Sequence, residues 1–203
     1  MKVCLLSGPD DVPGQLLRVG APWLANPLVR LFSLSLNQGY LPDDWTSANV
    51  TPVFKKGNKH LVINYRPVSF TCTVVKLLER LVHNQLSAFL ESNNKLTPFQ
   101  HGFRKKHSCQ TQLLESVHQW ARCLDRARSS HVVFTDLSKA FDTCLKLEHI
   151  GIRAKLLTWI GSFLLNRRQR VLIDGTSSEW SDVTSGVPQG SILYRSSTIH
   201  YLY

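Results

Sequence analysis

Between Thr73 and Leu90 the sequence sets Val74, Leu77, Leu78, Leu81, Val82, Leu86, Phe89 and Leu90 on one face of a helix. A stripe of that length has to be buried against a second layer, so this segment predicts an amphipathic helix packed on a core. Three other segments carry the same period. Trp23, Leu24, Leu28, Leu31, Phe32 and Leu36 predict a helix that stops near Gly39. Leu113, Val117, Trp120, Ala121 and Leu124 predict a second, with Ser108 as its N-cap. Leu156, Leu157, Trp159, Ile160, Phe163 and Leu164 predict a third, followed by Asn166, Arg167, Arg168, Gln169 and Arg170.

Strand patterns lie between these helices. Asn49 to Lys56 carries β-branched residues around Pro52 and runs into Gly57-Asn58, the pattern of an edge strand entering a turn. Val132 to Thr135 is continuously strand-favouring and predicts a strand covered on both faces, closed by the Asp136 carboxylate. Arg170 to Val183 places two short strands around Asp174-Gly175, a strong hairpin turn. Helices alternate with strands without a regular βαβ repeat, so the expected fold class is α+β.

A chain of 203 residues suffices for one large domain or parts of two, and a 43% hydrophobic content supports a sizeable core and excludes disorder and collagen. The most apolar stretch, Leu24 to Leu36, is interrupted by Asn26, Pro27 and Arg30, far short of a membrane span. The residues before Ser7-Gly8-Pro9-Asp10-Asp11 are too few for a signal peptide's apolar region. Five cysteines with no C-x-x-C pair fit a reduced chain. The expected setting is therefore intracellular, in nucleus or cytoplasm, with no membrane and no secretion.

Lys plus Arg number 24 against 14 Asp plus Glu, a net charge of +10 that favours a polyanionic partner. Asp136, at the end of a strand, can serve as a hard oxygen ligand for Mg²⁺ or as a helix N-cap. Lys55, Lys56, Arg66 and Arg104 lie beside Pro or Gly, where they can meet a triphosphate or be simply solvated. Arg167, Arg168 and Arg170 can track phosphates along a strand or form the charged end of a helix. Phe141, Trp45, Trp120 and Trp159 read as core aromatics. No H-E-x-x-H, G-x-S-x-G or G-x-x-x-x-G-K-[ST] occurs, which excludes metalloprotease, α/β-hydrolase and P-loop readings.

Four segments in order, YRPVSF (Tyr65 to Phe70), FQHGFRKKHS (Phe99 to Ser108), FTDLSKAFD (Phe134 to Asp142) and SGVPQGS (Ser185 to Ser191), resemble the reverse transcriptase of non-LTR retrotransposons. The resemblance runs from about Ser7 to Leu193 and includes the SGPD and LPDDW stretches. It implies a right-hand polymerase fold, with residues 1–44 an N-terminal helical extension, 45–130 fingers, 131–193 a partial palm and 194–203 a divergent tail, the thumb absent. It also implies roles. Asp136 matches the first metal-binding carboxylate of the palm, holding Mg²⁺, and Phe141 the aromatic under the sugar. Arg66 and Lys55 or Lys56 match the triphosphate grip, Arg104 lies in the next fingers motif, and Gln189 contacts nucleotide and template. The partners implied are an RNA template, a DNA primer and a dNTP.

The family continues past SGVPQGS into a Tyr-Ala-Asp-Asp type box, where this chain reads SILYRSSTIHYLY. Thr143-Cys144 also runs straight into LKLEHIGI, without the Val-Pro-His type turn usual in the family. The expectation is an RNA-directed DNA polymerase domain that is catalytically incomplete. The alternatives are a non-catalytic nucleic-acid-binding remnant and a decayed retroelement product.

Overall fold

A computed structural model describes residues 8–102, 104–133, 148, 151–152, 154–184 and 190–193. The chain opens with α1 (Gly14–Val19) and α2 (Ala21–Gln38), and the short α3 (Asp43–Thr46) leads into strand β1 (Ser47–Phe54). A 3₁₀ turn at Val62–Asn64 precedes β2 (Tyr65–Thr71), and helices α4 (Thr73–Ser92) and α5 (Cys109–Asp125) follow. Helix α6 (Ala154–Leu164) then precedes β3 (Arg167–Ile173), β4 (Thr176–Ser177) and β5 (Ser181–Val183). The α+β expectation holds, and the sheet is mixed. β1 pairs antiparallel with β2, from Ala48 opposite Thr71 to Phe54 opposite Tyr65. On its other side it pairs parallel with β3, from Ser47 opposite Arg168 to Val50 opposite Val171. β3 in turn pairs antiparallel with β4 and β5.

Three strand expectations need correction. β1 is flanked on both sides, so it is no edge strand; Pro52 is accommodated because pairing with β3 ends at Val50, and Pro52 lies across from Pro67. The basic run begins a strand rather than ending a helix, for β3 starts at Arg167. Val132 and Val133 are exposed and unpaired, Val133 at 82%, and the remainder of that predicted strand lies outside the described residues. The Asp174-Gly175 turn is as expected, with φ of 48° and 82°, the positive values a tight two-residue hairpin requires.

One core cluster joins α2, α4 and α6 beneath the sheet. Phe32, Trp45, Val75, Leu78, Val82, Leu86, Trp159, Ile160 and Phe163 are all buried in it. Phe32 meets Trp45 edge-on at 6.2 Å, which places the LPDDW stretch in the core. α2 and α6 lie close enough that the Trp159 indole N–H donates to Ser35 Oγ at 3.0 Å, and Ser162 Oγ donates to the Gly39 carbonyl. Gly39 ends α2 in the left-handed region, and a Cβ there would stand 2.9 Å from Thr158 on α6. On α4 the buried side is Val75, Leu78, Glu79, Val82, Leu86 and Leu90, whereas Leu77, Leu81 and Phe89 of the predicted stripe are exposed. The stripe is wider than the contact, so hydrophobic period alone leaves the helix's rotation open by about one residue.

The SGPD stretch seats the start of α4. Helix α4 has Cys72 at its N-cap, which supplies no side-chain oxygen, and Asp10 does so from a distance: Oδ2 accepts from Thr73 N–H at 3.2 Å and from the Cys72 thiol at 2.7 Å. Burial and Asp10 push the Cys72 thiol up to about 12. At pH 8 an aromatic disulfide reagent should therefore label exposed Cys109 quickly and leave Cys72 untouched until denaturant is added. Peptide mass mapping reads this directly, and prompt labelling of Cys72 in the folded chain would contradict the Asp10 cap.

Candidate nucleic-acid interface

Side chains on a strand alternate between faces, and the register of β1 fixes which basic residues share one. Arg66 lies across from Val53, Arg170 across from Asn49 and Arg168 across from Ser47, and these three β1 positions all have the same parity. Arg66, Arg170 and Arg168 therefore stand on one face of the sheet. Ala48 and Val50, of the opposite parity, are buried, and so is Asn49 on the arginine face, where it accepts from Arg170. From the level of Ser47 to that of Val53 is six residues, about 20 Å at the usual strand rise. Lys55 and Lys56 extend this line at the exposed tip of the β1–β2 hairpin, where the Lys55 N–H donates to the Asn64 carbonyl at 2.8 Å.

The arginines of β3 are held as well as aligned. Arg170 Nε donates to Asn49 Oδ1 at 2.9 Å, and its guanidinium stands 4.6 Å from the centre of the Trp180 ring. Arg168 stands 5.8 Å from the same ring and 3.7 Å from Asp182, with its side chain largely exposed. Nothing in the local sequence marks Trp180 as part of this group. Its placement follows from the break between β4 and β5, which brings it back beside β3.

Arg167 departs from the expected strip of three. Alternation turns it to the core face, where it is 1% exposed, donates to the Phe163 carbonyl at 2.8 Å and lies 4.9 Å over the Phe163 ring. It cannot reach a phosphate from there. Burial pulls its guanidinium down to about 10, with the Glu79 charge acting in the opposite direction. Arg104 is also engaged within the chain: Nε and Nη2 each donate to a Glu91 oxygen at 2.9 Å, and Nη1 donates to the Thr97 carbonyl. The Arg104 hydrogen bond holds the Glu91 carboxyl below the usual carboxylate range. His101 of the same FQHGFRKKHS motif sits within hydrogen-bond distance of Thr111 Oγ1 and Glu115 Oε2. The motif thus ties the end of α4 to the start of α5, where Ser108 and Thr111 form a capping box.

Two sequence motifs separated by more than a hundred residues meet at β2. Gly190, from SGVPQGS, has φ of 129°, and a Cβ there would stand 2.6 Å from the carbonyl oxygen of Ser69, from YRPVSF. The chain at Gly190 is thereby brought against the strand carrying Arg66. Asp136, Phe141 and Gln189 themselves lie outside the described residues. Among the described residues no group of three or more His, Cys, Asp and Glu side chains is placed to hold a metal ion. No helix among them is long and apolar enough to cross a membrane.

Residues 53–198 match the family described as reverse transcriptase (RNA-dependent DNA polymerase). The chain belongs to the reverse transcriptase family. It is similar to the RNA-directed DNA polymerase from mobile element jockey of Drosophila melanogaster, 30% identical over 195 residues, 92% of this chain and 21% of that protein. The jockey polymerase of Drosophila funebris is 33% identical over 175 residues, 82% of this chain and 19% of that protein. The Pol polyprotein from type-1 retrotransposable element R2 of Popillia japonica is 29% identical over 168 residues, 79% of this chain and 23% of that protein. This is a reverse transcriptase domain homologous to the RNA-directed DNA polymerases of non-LTR retrotransposons, and it spans about a fifth of the length of those relatives. The family acts on RNA templates and nucleotides and uses divalent metal ions.

Proposed function

We propose that the face of the sheet carrying Arg66, Arg170 and Arg168 binds the phosphate backbone of an RNA template paired with a DNA primer, in a domain built for RNA-directed DNA synthesis. The observation that carries this is the register: the three cations fall on one face and Lys55 and Lys56 continue the line. In this reading residues 45–130 are fingers and residues 131–193 part of a palm, within an intracellular protein. Lys55 and Lys56 grip the dNTP triphosphate, Gln189 meets the base pair, and Phe141 lies under the sugar. Asp136 holds Mg²⁺, which when bound neutralises phosphate charge and lowers the pKa of the primer hydroxyl. Arg104 and Arg167, occupied within the fold, serve its stability.

In this reading the domain binds template, primer and nucleotide together. Fluorescence anisotropy with a labelled RNA–DNA hybrid tests the reading. Binding should weaken by about 10³-fold between 50 and 200 mM salt if some six phosphates are contacted. An affinity that does not change with salt, or no binding at 50 mM, would reject it.

A further inference from the structure

The backbone that follows Gln189 is fixed from two sides. Gly190 lies against the Ser69 carbonyl of β2, so close that no other residue fits without displacement. Beyond it, a single oxygen of Glu79 on α4 accepts from Ile192 N–H at 2.6 Å and from Leu193 N–H at 3.1 Å. Ser191 and Leu193 are buried here, at 0% and 2% exposure. Buried backbone donors outside regular structure need an acceptor, and Glu79 supplies one to two of them at once.

Glu79 is an unfavourable choice for packing alone. It is fully buried on the side of α4 formed by Val75, Val82 and Leu86, where a leucine would continue the apolar face without desolvating a charge. Among the described residues its second oxygen, Oε1, is buried with no hydrogen-bond partner, as is Nη2 of Arg167. Burial pushes the Glu79 carboxyl above its usual range, while the two N–H groups and the nearby charges of Arg167 and Lys76 pull it back. What the carboxylate supplies in return is the seat of residues 190–193.

We infer that Glu79 is a positioning residue: through the backbone N–H groups of Ile192 and Leu193 it seats residues 190–193 against α4, the segment next in sequence to Gln189, which the proposed function assigns to the base pair. The anchor joins α4 to the two residues that follow the SGVPQGS motif, while Gly190, within the motif, meets β2. Its consequence for nucleotide binding rests on the proposed function above, whereas the anchor itself does not.

The test compares the wild type with Glu79→Leu and Glu79→Gln by hydrogen exchange and by titration with dTTP and Mg²⁺ on an RNA–DNA primer–template. In Glu79→Leu, exchange at Ile192 and Leu193 should rise about tenfold or more while β1 and β2 keep their protection, because these are the two N–H groups among the described residues that Glu79 accepts from. The dTTP Kd should rise at least about fivefold. Glu79→Gln should restore both, since its amide oxygen accepts the same two N–H groups. Unchanged exchange at 192–193 in a folded Glu79→Leu overturns the anchor. Faster exchange with an unchanged dTTP Kd overturns the positioning role. If the wild type binds no dTTP, the polymerase reading and the positioning role fail together, and exchange alone decides the anchor. Should Glu79→Leu not fold, Gly190→Ala carries the comparison: its Cβ meets the Ser69 carbonyl and should loosen 192–193 and weaken dTTP in the same direction, and no change in either measurement would count against the inference.

Discussion

Trp159→Ala should remove about 3–5 kcal/mol of stability, close to the whole margin of many domains. Trp159 is fully buried, stacks on Phe163 at 5.8 Å with its ring tilted only 17°, and donates its indole N–H to Ser35. Truncation opens a large cavity between α2 and α6 and deprives Ser35 of one partner, although Ser35 still donates to the Tyr40 carbonyl. The surrounding side chains cannot close that space, because Ile160 and Phe163 are themselves fixed in the core. Trp23→Ala is the internal comparison: Trp23 is 75% exposed, and its truncation should cost no more than about 0.5 kcal/mol. Urea unfolding followed by circular dichroism reads both. If the two variants shift the midpoint equally, Trp159 is not packed between α2 and α6.

Local signals make the helices and turns of this chain legible. Gly39 stops α2, Ser108 caps α5, and Asp174-Gly175 turns the hairpin, each through backbone chemistry that its neighbours cannot alter. Features that depend on a distant partner are less so. Whether β1 is an edge strand depends on β3, more than a hundred residues away, and which side of α4 is buried depends on α6 and the loop at 190–193. Trp120 reads as core and is partly exposed on α5, a helix on which no described residue is buried. An apolar stripe reports what a helix can bury, and the remaining structure determines what it does bury.

The candidate site divides in the same way. Arg66, Arg168 and Arg170 can be named from composition and resemblance, but their shared face requires the register, and the same alternation withdraws Arg167 into the core. A run of adjacent arginines in a strand always splits between two faces, so the split follows once β3 is recognised as a strand from its first residue. Glu79 also leaves a trace in the sequence: it follows Val75 by four residues and precedes Val82 by three, a charged residue on the apolar side of a helix. Asp10 leaves none, because its role as the cap of α4 depends on chain passing sixty residues earlier at the end of β2.

The double variant Arg168→Ala/Arg170→Ala should reduce the salt dependence of binding to the RNA–DNA hybrid by nearly two ion equivalents, at about 0.9 for each phosphate no longer neutralised. Affinity near physiological salt should fall by about 30–100-fold if each arginine contributes about 1 kcal/mol or slightly more. The spacing of the cations allows a sharper measurement. Arg66 and Arg168 are about 20 Å apart along the sheet, a span of some six nucleotides at 3.4 Å of rise each. A ten-nucleotide RNA can reach both ends of the line and should respond to the double variant and to Arg66→Ala alike. A four-nucleotide RNA reaches only one end at a time, so each variant should leave it a remaining site and lower its affinity by no more than about twofold. Arg167→Met is the control: buried on the other face, it should cost stability and leave the salt slope unchanged. Equal weakening for both RNA lengths would mean that the cations do not form one line with two separate ends, no weakening for either would place the phosphates on some other surface, and a changed slope in Arg167→Met would mean that the two faces of the sheet have been assigned the wrong way round.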